Sequence, residues 1–340
     1  MRRTVSVTAP SRIDFGGGTL DIYPLYLYFD GGMTINAAID LGAEVRIKAR
    51  DDERIVIKSI DTGAALECEC GLDGMPLEGG CALIARTLRF FRPQGGLEVT
   101  TKLLPPLGSG LGASSTLFIA LAHGLMAYNN VSLDPMRIIR ICNNLEAQLM
   151  GLPAGMQDYF PPTFGGINTV HYDLEDTWVE NMDPDGHFLD ELQQYVLVTY
   201  TNITHHSGTT NWGKMRNYFD GIPQTVESLR RIKHTAVEFY SAFQARDIHR
   251  IADLLNEEWE NRKGLSDGVT TPEIDRMLEA ARKAGAWANK LCGAGGGGCL
   301  LTIVPPEARE AVLHALETSG ASALDTRLVQ QGVQVKVEAE

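Results

Sequence analysis

From Leu111 to Tyr128 the chain runs eighteen residues without an Asp, Glu, Lys or Arg, and the run begins inside the glycine-rich stretch PPLGSGLGASS. An uncharged segment of this length must be buried on all sides, in lipid or in a protein core. It carries two serines, a threonine, a histidine and two glycines and has no basic flank, so it reads as a core helix rather than a membrane span. Any fold open to this sequence must therefore bury this helix in its core. A chain of 340 residues has enough material to do so.

The pattern changes across that helix. The first 105 residues read mostly as strands, with AEVRIKA, RIVIKSI and GLEVTTKL alternating between Gly- and Asp-rich turns. A second helix follows the central one, with Asp134 as N-cap, Pro135 at the first helical position and Gly151 as its stop. GGINTVHYD reads as a strand and DLEDTWVENMDPDGHF as a polar surface connection. From about Gln193 a second αβ pattern begins. It holds the strand YVLVTY, helices through ESLRRIKHTAVEFYSAFQ, DIHRIADLLNEEW and EIDRMLEAARKAG, the strand CLLTIV, another helix and a final strand VQVKVEA. The expected class is α+β, in two units spanning residues 1–185 and 186–340.

Charge narrows the partners. A net charge of −13 argues against nucleic acid and anionic membrane, whose phosphates it would repel. A nucleotide stays open, because backbone amides and a metal neutralise phosphate locally. The six cysteines are scattered without a paired CxxC set, and MRRTVSVTAPSRIDF lacks the apolar run of a signal peptide. The expected setting is cytoplasmic, with reduced thiols.

Glycines gather in three clusters. In the middle one, Gly108, Gly110 and Gly112 follow a strand and lead into the uncharged helix, with small hydroxyl residues directly after them. Glycine lets backbone approach a ligand, and a helix N-terminus presents free N–H groups to an anion. No Lys follows as in a Walker A loop, and no βαβ unit with a downstream acid supports a dinucleotide fingerprint. A tight turn capping a buried helix is the plain alternative. The last cluster, KLCGAGGGGCLLTIV, sits between a helix and a buried-looking strand, so its glycines are held at both ends like a ligand-approaching loop rather than a linker. The first cluster, APSRIDFGGGTLDIYP, joins three glycines to Arg12, Thr19 and Asp21, and a turn role for Asp21 is the alternative there.

One acidic residue is out of place. On a helical wheel over Met136 to Met150, Glu146 falls inside the apolar arc between Cys142 and Ile139. A carboxylate there must be ion-paired, bind a metal or stay protonated.

In order and wording the three clusters resemble the motifs of the GHMP kinase superfamily, which includes galactokinase, homoserine kinase, mevalonate kinase and the bacterial heptose kinases. PPLGSGLGASS is similar to the family's P-x3-G-L-G-S-S, and KLCGAGGGGC to its third motif. GGGT followed by Asp, with QDYFPPTFGGIN, looks most like heptose 7-phosphate kinase and fucokinase relatives. Ala113 stands where the first Ser of GLGSS is common. The galactokinase-like E-H-x-D is here Gly18-Thr19-Leu20-Asp21.

The resemblance implies a domain like ribosomal protein S5 domain 2 followed by a ferredoxin-like domain, with ATP and acceptor between them. It implies ATP and Mg²⁺ as cofactors. Pro106, Gly108, Ser109, Gly110, Leu111, Gly112, Ala113, Ser114 and Ser115 would bind the nucleotide, and Ser114 with Glu146 would hold the metal. Asp158 would be catalytic beside the acceptor hydroxyl, with Arg12 supporting it. Gly17, Gly18, Thr19, Asp21, Asp158, His205, Gly295 and Gly296 would bind the acceptor, a small-molecule sugar or sugar phosphate taken at its anomeric hydroxyl. His205 stands where the heptose kinases lead one to expect an Arg, which weakens the expectation of a bound sugar phosphate. A mevalonate- or homoserine-type kinase, a non-catalytic sugar sensor and a decarboxylase on the same fold are the alternatives. Homodimerisation is left open.

Overall fold

The alternating runs form sheets in the computed structural model, which describes residues 3–69, 71–204 and 207–339. The strands of the first half are β1 (Arg3–Gly16), β2 (Gly32–Ala49), β3 (Ile55–Ser59), β4 (Ala65–Cys68), β5 (Leu97–Leu103), β6 (Ile167–Tyr172) and β7 (Thr177–Asn181). The helices among them are α1 (Ala82–Phe91), α2 (Ala113–Asn129), α3 (Pro135–Met150) and α4 (Phe160–Phe164). Then come α5 (His187–Gln193), β8 (Val196–Tyr200), α6 (Ser207–Phe219), α7 (Pro223–Gln244), α8 (Ile248–Lys263) and α9 (Pro272–Lys283). The chain ends with β9 (Ala288–Leu291), β10 (Cys299–Ile303), α10 (Arg309–Thr318), β11 (Ser322–Ala323) and β12 (Gln334–Ala339).

The larger sheet has the order β12-β1-β2-β5-β3-β4, with the β6–β7 hairpin paired to the other end of β2. The smaller one is antiparallel, in the order β11-β8-β10-β9. The last strand thus returns to the first, pairing Arg3 with Ala339 through Thr8 with Gln334.

The uncharged run became the central helix that its composition demanded. One side of α2 packs on β1 and β2, and the other is covered by α1 and α3. Phe118, Ile119, Ala120 and Leu121 are all fully buried. α3 starts as its sequence foretold, with Asp134 accepting from the Arg137 amide at 3.2 Å, and it ends at Gly151 in the left-handed region.

A second core ties the two sheets together. Phe15 and Ile35 of the large sheet meet Phe239 and Phe243 of α7, Leu254 and Leu255 of α8, and Leu301 and Ile303 of β10. This packing brings the turn between β9 and β10 against the turn before α2, where the Cys299 amide donates to Ser109 O at 2.7 Å. The glycine clusters, far apart in sequence, meet here.

Several segments differ from expectation. Residues 82–91 lie in the stretch read mostly as strands but form α1, because Ile84, Ala85 and Leu88 share a face buried against α2. The expected surface connection after residue 173 contains β7 and α5 instead. Thr177 to Asn181 pairs with β6, and Phe188, Leu189 and Leu192 enter the core joining the sheets. Among the described residues no helix is long and apolar enough to cross a membrane.

Candidate active site

A cavity of about 840 Å³ opens where the turns converge. Its walls come from the loop before α2, the start of α2, the end of α3, the segment 153–158, the first glycine turn, and residues of α6, α8 and the third glycine turn.

Backbone geometry explains the middle cluster. Gly108, Gly110 and Gly112 have φ of 69°, 70° and 72°, in the left-handed region that costs other residues energy. Space forbids a side chain as well. A Cβ on Gly110 would lie 2.6 Å from Cys292 O, and one on Gly112 would lie 3.2 Å from the Asp158 Cβ. Gly112 is also the N-cap of α2, so the first amides of that helix open beside the cavity. Pro106, Gly108, Ser109, Gly110, Gly112, Ala113, Ser114 and Ser115 line it. Leu111 lies in the core beneath, and its carbonyl accepts from the Arg12 amide at 3.2 Å.

Arg12 and Asp158, 146 residues apart, meet on the cavity wall. Arg12 Nε and Nη2 approach the same oxygen, Asp158 Oδ1, at 2.8 and 2.7 Å, while Nη1 donates to Gly110 O. Oδ2 of Asp158 is left without a partner among the described residues. Burial alone would lower the Arg12 pKa, but Asp158 and Asp14 outweigh it and hold the guanidinium more firmly charged.

Glu146 is buried, as the helical wheel required, and lines the cavity. Its Oε2 accepts from Ser115 Oγ at 2.8 Å and from the Tyr159 hydroxyl. Burial pushes its carboxyl up, against the hydrogen bonds of Tyr159, Ser114 and Ser115. No ion pair to Glu146 occurs among the described residues, so its charge has no internal counter-ion. A divalent cation would supply one. The donors gathered here are hard oxygens, a carboxylate and two hydroxyls, the set that suits Mg²⁺. No group of three or more His, Cys, Asp or Glu side chains is placed to hold a metal ion among the described residues. Such a metal would therefore depend on phosphate oxygens for much of its coordination.

Asp21 faces the cavity almost fully buried. Its Oδ1 accepts from the Thr19 amide at 2.9 Å and its Oδ2 from the Gln157 amide at 3.1 Å, stapling the first glycine turn to the loop that carries Asp158. Burial, then the charge of Asp158, push its carboxyl up to about 6. Thr19 also lines the cavity, and its buried hydroxyl has no partner among the described residues. Gly17 and Gly18 do not line the cavity, and a Cβ on Gly18 would lie 2.8 Å from Gln157 Nε2 and 3.1 Å from Arg262 Nη1. Gly293 and Ala294 face the cavity, whereas Gly295 and Gly296 pack away from it against Val269 and Gly268. His205 lies outside the described residues.

Several charged residues at the site went unnamed in the sequence. Arg262 of α8 lines the cavity, donating to Gly18 O at 3.2 Å and Gly293 O at 2.6 Å. Lys214 is buried behind it, bonded to Ala294 O at 2.7 Å, and burial together with Arg262 holds its pKa well below the lysine norm. Asp14 and Lys290 form a fully buried ion pair at 2.6 Å. The alternation of β1 gave one usable signal, since Arg12 and Asp14 must share a face.

Residues 81–166 match the family model "GHMP kinases N terminal domain" and residues 239–322 match "GHMP kinases C terminal", together half of the chain. The chain is 27% identical to the D-glycero-alpha-D-manno-heptose 7-phosphate kinase of Campylobacter jejuni, over 97% of this chain and 98% of that one. It is 25% identical to the mevalonate kinase of Thermococcus sibiricus, over 98% of each chain. A crystal structure of a D-glycero-D-manno-heptose 1-phosphate kinase from Bacteroides thetaiotaomicron superposes with a TM-score of 0.79, at 24% identity over 98% of both chains.

Proposed function

The chain belongs to the GHMP kinases, and we propose that it transfers the terminal phosphoryl group of ATP to a sugar or sugar phosphate at the anomeric hydroxyl. The observation that carries this is the meeting, in one cavity, of a helix-capping glycine turn, the counter-ion-free Glu146 and the Arg12-held Asp158.

Phosphoryl transfer asks the protein for alignment and charge neutralisation more than for covalent work. The amides of residues 108–115 would hold the nucleotide phosphates at the N-terminus of α2. Glu146 and Ser114, with Ser115 bonded to the same carboxylate, would hold Mg²⁺, which neutralises β- and γ-phosphate oxygens when bound. Asp158 Oδ2 would accept the acceptor's hydroxyl proton or orient that hydroxyl. Arg12 keeps Oδ1 occupied, so one carboxylate oxygen has one task.

At the acceptor end, each Asp21 oxygen has one backbone donor and a further lone pair. Asp21 and the unpartnered Thr19 hydroxyl would accept from ring hydroxyls, which favours a polyol over an apolar acceptor. Under this reading the chain divides at residues 185 and 186 into two units that face each other across the cavity, with the last strand, β12, reaching back into the sheet of the first.

The test is ADP release from ATP and Mg²⁺ with heptose 7-phosphate, L-fucose, D-galactose, mevalonate and homoserine, followed by phosphorus NMR of the product. Turnover on a sugar with a 1-phosphate product is expected. Turnover on mevalonate alone, with a primary-alcohol phosphate, would overturn the acceptor assignment. No turnover and no ATP binding would point to a sensor.

A further inference from the structure

We propose that Asp14 is a positioning residue for this transfer, fixing Arg12 and through it the carboxylate of Asp158. The proposal rests on the role given above to Asp158.

Asp14 sits on β1 two residues from Arg12, on the same face of the strand, and is completely buried. A carboxylate so placed costs several kcal/mol unless its oxygens are satisfied. Both are. Oδ2 meets Lys290 Nζ at 2.6 Å, and Oδ1 accepts from the Gly293 amide at 2.9 Å. Lys290 also donates to the Asp14 carbonyl at 2.7 Å, so it is locked to β1 at two points. Burial would raise the Asp14 carboxyl, but Lys290, then Arg12 and Arg262, hold it below the usual range.

This anchored charge lies 3.6 Å from Arg12 Nη1, the nitrogen that donates to Gly110 O. The opposite edge of the guanidinium holds Asp158. Arg12 is therefore gripped by a buried anion on the core side and presents its other edge to the working carboxylate. Without Asp14 its anionic partner would be Asp158 alone, and only the neutral Gly110 carbonyl would hold the guanidinium back from following that side chain into the cavity. A pair serving stability alone would need only Asp14 and Lys290. The contact to Arg12 is the feature that points to positioning.

The test is a set of variants assayed for kcat, KM for ATP and melting temperature, using the fastest acceptor of the panel above. Asp14→Asn should lower kcat about 10- to 100-fold, the effect of misplacing a catalytic group by about an ångström, with KM for ATP nearly unchanged. Asp14→Asn/Lys290→Met removes both buried charges, so melting should recover while kcat stays low. In an Arg12→Met background, followed by single turnover, adding Asp14→Asn should cost little more, because its effect passes through Arg12. Recovery of kcat along with melting in the double variant would overturn the proposal. So would a full multiplicative loss in the Arg12→Met background. Failure of the underlying reading is distinguishable: Asp158→Asn would then keep a near-wild-type rate, whatever Asp14→Asn does.

Discussion

Asp21 gives a prediction whose size can be worked from its surroundings. Its carboxyl is buried beside Asp158, which lifts it from the ordinary 3.8 to about 6, against the pull of two backbone amides. In the unfolded chain it loses its proton near pH 4, whereas the folded protein keeps it to about pH 6. Stability therefore falls as pH rises between those values and levels off above them. At about 1.4 kcal/mol per pH unit, the ionised carboxylate costs the folded state about 3 kcal/mol near pH 7. Asp21→Asn cannot ionise, so against wild type it should gain about 3 kcal/mol as pH climbs from about 4 to 7. Urea unfolding of both proteins across that range gives the difference curve, in which titrating groups not coupled to Asp21 cancel. The same substitution should raise the acceptor KM at neutral pH, since an amide cannot accept the same bonds, and leave the KM for ATP unchanged. Wild-type acceptor affinity should weaken below about pH 6 as Asp21 gains its proton. A flat difference curve would show that Asp21 titrates like an exposed carboxylate and would refute the burial argument.

Two further predictions concern the nucleotide side. Glu146→Gln and Ser114→Ala should each raise the Mg²⁺ concentration needed for half-maximal rate. If Glu146 were only a buried structural carboxylate, the variant would melt differently with unchanged metal dependence. Gly110→Ala forces a side chain into the left-handed region and within 2.6 Å of Cys292 O, so it should lose about 1–3 kcal/mol and weaken ATP binding. Unchanged melting and ATP affinity would mean that the turn relaxes at no cost.

What could be read from the sequence was what is written locally. The missing charges of residues 111–128 announced a central helix, and Asp134, Pro135 and Gly151 marked the ends of the next one. The anomalous place of Glu146 on its wheel predicted a buried acid in need of a partner. The helix at 82–91 was missed because a ten-residue, mostly apolar run set among strands reads as either element, and its packing face exists only once α2 lies against it. Arg12 and Asp158 were named through resemblance and not through pattern, since nothing local joins residues 146 positions apart. The pairing of Asp14 with Lys290 spans 276 positions and left a still fainter trace. Arg262 lies past the end of the helix read through DIHRIADLLNEEW, and nothing local marked it. Only the packing of α7 and α8 between the sheets turns it inward to the carbonyls of Gly18 and Gly293.

The most direct measurement is single-turnover transfer from γ-labelled ATP by Asp158→Asn, with ATP affinity measured on the same protein. Asp158 is held through Oδ1 by Arg12, so the account predicts a rate lower by about 10²- to 10⁴-fold with ATP affinity nearly unchanged. A rate close to wild type would contradict it, because the proton of the acceptor hydroxyl would then leave without this carboxylate.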